Sequence, residues 1–265
     1  MKLSRTSFIL LNVFALALAA ILIWPVLQML LSSFTTDIVF PPRYFTLEAF
    51  ERVIWPGYFQ ALQFSIQLAI WVTLLLLVIC LPTAYVLERH RFPGRSLLSV
   101  LIFVPTIFPG VTYVSAIGTY VAIFYADLRG TFPIIVVGTA MGAIPLVVRA
   151  LQASIATTDP VYEEAALVMG ARPLHTFARV TLPLIGPGLV TAAMIAFTSA
   201  SMAFTAPFIL GTQQPTVAIY IYRDIGKVGF TPAVAVQVLV MEAVIIGIVQ
   251  TLYFVFRKQF RGLFV

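Results

Sequence analysis

The chain has 265 residues, of which 61% are hydrophobic and 10% charged, far below the roughly 25% charged residues of soluble domains. A water-soluble fold could not cover that much apolar surface, so the chain belongs in a lipid bilayer. The formal charge of +6 would point to nucleic acid in a soluble protein, but here Lys and Arg sit in the loops between apolar runs, and no nucleic-acid partner is expected. The single cysteine, Cys80, lies inside an apolar run, and the two histidines, His90 and His175, are far apart. Neither an intrachain disulfide nor a metal site is legible.

In chain order, Lys2 and Arg5 precede an apolar run from Phe8 to Leu31. Ala15-Leu16-Ala17 could pass for a leader cleavage site, but the run is long enough to cross a hydrocarbon core of about 30 Å, so it reads as an uncleaved first helix. Five further runs follow: Ala61–Leu87, Leu97–Tyr125, Phe132–Leu151, Ile185–Leu210 and Ala233–Phe256. Backbone polar groups in lipid must find partners within their own segment, which makes these runs helices. They far exceed the roughly 10 residues of a barrel strand and lack its alternation. The fold class is all-α integral membrane with six transmembrane helices, one transmembrane domain over residues 1–265.

With both termini cytoplasmic, 11 of the 16 basic residues fall on the inner side: Lys2, Arg5, Arg89, Arg91, Arg95, Arg149, Arg172, Arg179, Arg257, Lys258 and Arg261. That bias selects the topology. Arg43, Arg52, Arg129, Arg223 and Lys227 then lie in the outer segments 32–60, 126–131 and 211–232. The first outer loop, with Pro41-Pro42 and Phe45-Thr46-Leu47-Glu48, reads as a surface element against the bilayer, and His90–Arg95 as a tight cytoplasmic turn. Arg149, near the inner end of the fourth run, is expected to snorkel to the interface.

The cytoplasmic loop 152–184 carries more order than a linker. Asp159-Pro160 is a helix-start signal, Glu163 and Glu164 sit where carboxylates favour the helix dipole, and Gly170 is placed to end the helix in a left-handed conformation. Arg172-Pro173 opens a second stretch, Leu174 to Val180, and Leu182-Pro183 ends it. A short helix of this kind is a knob for a groove on a second protein.

Glu164-Ala165-Ala166, then Gly170 four residues on, then Val180-Thr181-Leu182-Pro183, resembles the EAA signature of binding-protein-dependent ABC importer permeases. Val180 stands where that pattern has Ile. Six runs, a length of 265 residues and the motif between the fourth and fifth runs extend the resemblance over the whole chain, to the fold of the methionine and maltose importers. The resemblance implies a translocase subunit in a bacterial or archaeal inner membrane. Its coupling helix would dock on a separate cytoplasmic ATPase, with Glu163, Glu164, Ala165, Ala166, Gly170 and Ala171 as docking residues. It further implies two ATPase subunits that bind ATP and Mg, a second permease subunit in a heterodimer, and an extracytoplasmic substrate-binding protein. No Gly-x-x-x-x-Gly-Lys-Ser/Thr loop occurs here, so the chain is not read as an enzyme and has no cofactor of its own.

Phe92-Pro93-Gly94-Arg95, Pro145-Leu146-Val147-Val148-Arg149 and Arg179–Leu189 look most like the spermidine/putrescine-type group, whose relatives handle polyamines, amino-acid derivatives, aminophosphonates and ferric iron. Sugar-importer permeases are the alternative. The fifth run reads Thr198-Ser199-Ala200-Ser201-Met202-Ala203-Phe204-Thr205, without the acid that a polycation would want. Ser199, Ser201, Phe204 and Thr205 are candidate pathway residues, although small hydroxyl residues also serve packing between spans. Glu242 is the acid well inside a run and joins the candidates. A proton-coupled secondary transporter would want several such groups and a repeat.

Overall fold

The computed structural model describes residues 5–38, 44–53, 56–211 and 214–260. Among them helices dominate: α1 (Arg5–Ser32), α2 (Glu48–Val53), α3 (Pro56–Arg89), α4 (Arg95–Ile107), α5 (Gly110–Phe124), α6 (Phe132–Ala156), α7 (Val161–Val168), α8 (Pro173–Thr176), α9 (Leu182–Leu184), α10 (Gly186–Ser201), α11 (Thr205–Leu210), α12 (Val217–Val228) and α13 (Pro232–Phe260). Four helices are long and apolar enough to cross a bilayer alone, within α1, α3, α6 and α13. Two bent pairs, α4 with α5 and Pro173–Leu184 with α10, raise the number among the described residues to as many as six if each pair counts as one span.

α3 starts five residues before Ala61 and α6 runs five past Leu151, and three expected boundaries differ in kind. The run Leu97–Tyr125 is not one straight helix but α4 and α5, bent by 101°. The cause is Pro109, which has no N–H to donate and pushes Phe108 out of the helical region, to φ −92°, ψ 140°. The run Ile185–Leu210 divides into α10 and α11 at Met202–Phe204, and α11 ends on Gly211 at φ 79°. Finally, Leu182-Pro183 does not end the second stretch of the loop. The helix passes through a π-helical turn, Phe177–Thr181, and continues to Leu184. Pro183 cannot donate to the carbonyl four residues back, and widening the turn relieves the clash there. The chain then turns at Ile185, and α10 leaves at 77°.

Pro41-Pro42 lies outside the described residues. Phe45 pairs with Thr35 in an isolated bridge, and Thr46 Oγ1 accepts from the Glu48 N–H at the start of α2. His90–Arg95 makes a tight turn: Gly94 has φ 89° and the Arg95 N–H donates to Phe92 O. Arg149 carries its guanidinium over the Phe103 ring, 4.5 Å from the centroid, an attraction that holds the cation locally.

The chain divides into two compact units, Met1–Phe59 with Tyr220–Ala243 and Gln60–Ile219 with Val244–Val265. In the first, the Tyr58 hydroxyl donates to the Gln237 carbonyl and its ring meets Tyr220 edge-on. Gln237 Nε2 donates to Asp224 Oδ2 at 2.7 Å. In the second, the core is a one-sided stripe on α3 (Leu68, Val72, Leu76, Cys80, Ala84, Leu87) against small residues of α6 and α10. The other face of α3, with Trp71, Leu74 and Val78, is apolar yet exposed, as suits a helix whose solvent is lipid. α6 and α10 approach so closely at Gly188 that a Cβ there would lie 2.0 Å from Ser154 Cβ and Oγ. Small residues permit such backbone contact between spans.

Candidate functional site

The segment between α6 and α10 is built from local hydrogen bonds. After α6, Thr158 Oγ1 donates to Ile155 O, and Asp159 Oδ1 accepts from the Val161 N–H at 3.0 Å. This caps the start of α7, with Pro160 spending no donor of its own. α7 ends at Gly170, φ 87°. There the Gly170 N–H donates to Leu167 O and the Ala171 N–H to Ala166 O, the paired bonds of a Schellman ending. Arg172 is extended ahead of Pro173, which restarts the helix in a new direction.

One face of α7 is tied to α3. Glu163 is buried, and both its carboxylate oxygens are used: Tyr85 Oη donates to Oε2 at 2.7 Å and Arg89 Nε to Oε1 at 3.1 Å. Arg89 Nη2 also donates to Thr158 O at 2.9 Å and to Thr158 Oγ1 at 2.6 Å. The Tyr85 ring meets Phe177 edge-on at 5.0 Å. Ala166, one turn after Glu163, is buried beside this contact face.

The opposite face is open. Glu164, Ala165 and Gly170 are exposed and Ala171 is half-buried. Val168 is 87% exposed, Met169 82% and Leu174 80%, with Val161 and Tyr162 also exposed. The six residues expected to dock therefore divide. Glu164, Ala165 and Gly170 face outward, whereas Glu163 and Ala166 face their own bundle. Tyr85, Arg89 and Thr158 join the site without having been singled out. The signal available in the sequence was the doubled Glu163-Glu164: adjacent helical residues point about 100° apart, so both cannot face one partner.

The candidate pathway residues differ in their local settings. Ser199 is exposed on α10, while Ser201 is buried with its Oγ donating to Phe197 O at 2.8 Å, a bond within its own helix. Phe204 and Thr205 flank the α10–α11 break, where Phe204 stacks on Phe208 at 5.0 Å and Thr216 Oγ1 donates to the freed Ala203 carbonyl. Glu242 is half-buried on α13.

A family model described as binding-protein-dependent transport system inner membrane component matches residues 77–262. The sulfate transport system permease protein CysT of Salmonella typhimurium is 32% identical over 174 residues, 60% of this chain and 63% of that protein, so this chain spans less than two thirds of that relative's length. The spermidine/putrescine transport system permease protein PotB of Escherichia coli strain K12 is 28% identical over 204 residues, 71% of this chain and 74% of that one. Among solved structures, a bacterial ABC transporter involved in the import of the acidic polysaccharide alginate matches with a TM-score of 0.70 over 97% of this chain and 99% of its own, at 19% identity. The methionine transporter MetNI, in an inward-facing form, matches with 0.63 over 81% and 99%, at 21% identity. At such identities the two structures speak to the fold alone.

Proposed function

Because this chain belongs to the family of binding-protein-dependent transport system inner membrane components, we propose that it forms half of the translocation pathway of an ATP-driven importer, with α7 as the helix that docks on a separate ATPase subunit. The observation that carries this reading is the two-sided build of α7. A helix of eight residues is too short to be stable alone, yet it is capped, anchored through Glu163, and presents Val168, Met169 and Leu174 to the outside. An ordered apolar ridge on a loop without its own core is what a partner groove recognises. Glu164 supplies a charge on the docking face, Ala165 permits close approach and Gly170 sets the turn.

In this reading the α7 loop and both termini are cytoplasmic, as the loop charges favour. Two ATPase subunits supply ATP and Mg chemistry, a second permease completes the pathway in a heterodimer, and an external binding protein delivers cargo. The cargo is a small charged or polar solute. The hydroxyl-bearing stretch Thr198–Thr205 holds no carboxylate, which favours an anion, zwitterion or aminophosphonate over a polyamine. Titrating the binding protein with sulfate and with spermidine separates these cargoes.

Crosslinking in the assembled complex tests docking. Ala165→Cys should link to the ATPase subunit, and Ala166→Cys, at 8% exposure, should link far less. Equal linkage from both positions, or none from Ala165→Cys, would overturn the docking assignment.

A further inference from the structure

The docking reading explains how α7 is gripped from outside, and leaves open how its movement reaches the membrane. Covalently, α7 connects to α6 through the turn Thr157–Pro160 and to α8 through Gly170–Arg172. Both connections are turns, and a lever pulled through turns at both ends would flex before its bundle moved. The contact with α3 is of another kind. A single guanidinium binds the helix and the turn before it at once: Arg89 Nε holds Glu163 Oε1, and Nη2 holds Thr158 O and Oγ1. Tyr85, one turn earlier on the same face of α3, takes the other carboxylate oxygen. The side chains of Arg89 and Glu163 are only 11% and 10% exposed. Opening such a pair leaves a charge unpaired away from water, which resists separation under load.

We propose that Arg89 and Glu163 are positioning residues that make α7 and the end of α3 move as one body, so that displacement of the docked helix enters the membrane bundle through α3 as well as through the chain connections. This rests on the docking reading. It assigns opposite roles to two adjacent carboxylates: Glu164 acts towards the ATPase, Glu163 towards its own bundle. The fork of Arg89 is essential, since lysine can reach Glu163 or Thr158 but cannot hold both in fixed geometry.

The test uses the complete importer in proteoliposomes, with uptake per ATP hydrolysed as the readout and ATPase retention in the purified complex as the control. R89K and E163Q should keep the ATPase bound while uptake per ATP falls by at least about fivefold, the lower end of ordinary coupling effects. The pair R89C/E163C should be uncoupled in the same way, and a short bis-maleimide should restore coupling; Cys80 is buried and out of the reagent's reach. A purely structural defect would not recover after the complex has been purified. Full uptake per ATP in R89K and E163Q would overturn the proposal. So would loss of the ATPase from these complexes, or uncoupling that the crosslink leaves in place. Failure of the docking reading is scored separately, by the absence of the Ala165→Cys link.

Discussion

The seam between α6 and α10 and the α7 segment adjoin in sequence but are held by different physics. At the seam, Ser154 faces Gly188 with no room for one more carbon, and the directed bond there is a long one, Ser154 Oγ to Ile185 O at 3.4 Å. Lipid is as apolar as the helices, so spans gain little from hydrophobic burial and associate through close fit of small residues. Four residues beyond Ser154, the Thr158 hydroxyl and carbonyl are both taken by Arg89. Everything from there to Ala171 is held by caps, an ion pair and a left-handed glycine. One region is specified by shape, the other by directed hydrogen bonds, and the two should fail differently.

The largest effect is expected at the seam. Gly188→Val should leave no stable protein in the membrane, because its Cβ would lie 2.0 Å from Ser154 Cβ and Oγ and two further methyl groups would branch from that same crowded point. Gly188→Ala overpacks the same contact and should cost about 1–3 kcal/mol, seen as lower yield and a lower unfolding temperature in detergent. Adding Ser154→Gly to Gly188→Ala removes the colliding atoms and should recover much of that loss. If it does not, the seam is not held by fit.

Gly170 reverses the logic. A Cβ there would meet nothing within 4 Å, but φ is +87°, so a side chain is opposed by the backbone and not by neighbours. Gly170→Val should strain the turn by about 1–2 kcal/mol and lower uptake per ATP, with the unfolding temperature of the bundle nearly unchanged. Gly170→Asn, tolerated in the left-handed region, should transport better than Gly170→Val. A fall in bundle stability as large as that at Gly188 would erase the distinction between seam and lever.

The same distinction explains what was legible in the sequence. The caps of α7 could be read from Asp159, Pro160 and Gly170, because turn chemistry is local and its residue types are few. The crossings could be read because lipid demands long apolar runs. The breaks at Phe108-Pro109 and Met202–Phe204 were hidden inside those runs. Hydropathy does not record where a helix bends, and Pro25, Pro82, Pro105 and Pro145 lie inside helices that continue past them. The residue type alone does not mark the break: Pro109 separates two helices, and these four do not. Arg89 was visible as one positive charge among several near the ends of spans; its role depends on Glu163, 74 residues away, which no local pattern reveals. The Asp224–Gln237 bond was missed for the same reason, whereas α12 has a local amphipathic pattern that was passed over inside the outer segment 211–232.

The smallest effect is expected at Asp159, and its size is informative. Asp159 Oδ1 accepts the first free N–H of α7 from an exposed position, and removing such a cap costs about 0.5–2 kcal/mol of helix stability. In an otherwise intact chain Asp159→Ala should lower uptake per ATP only slightly, since Arg89 holds Thr158 and Glu163 on either side of the lost bond. In the R89K background that support is weakened, and the same change should cost several times more. Non-additivity of this kind is the mark of residues sharing one network. If the two changes instead simply add, the cap and the clamp act independently, and α7 is held by its own ends more than by α3.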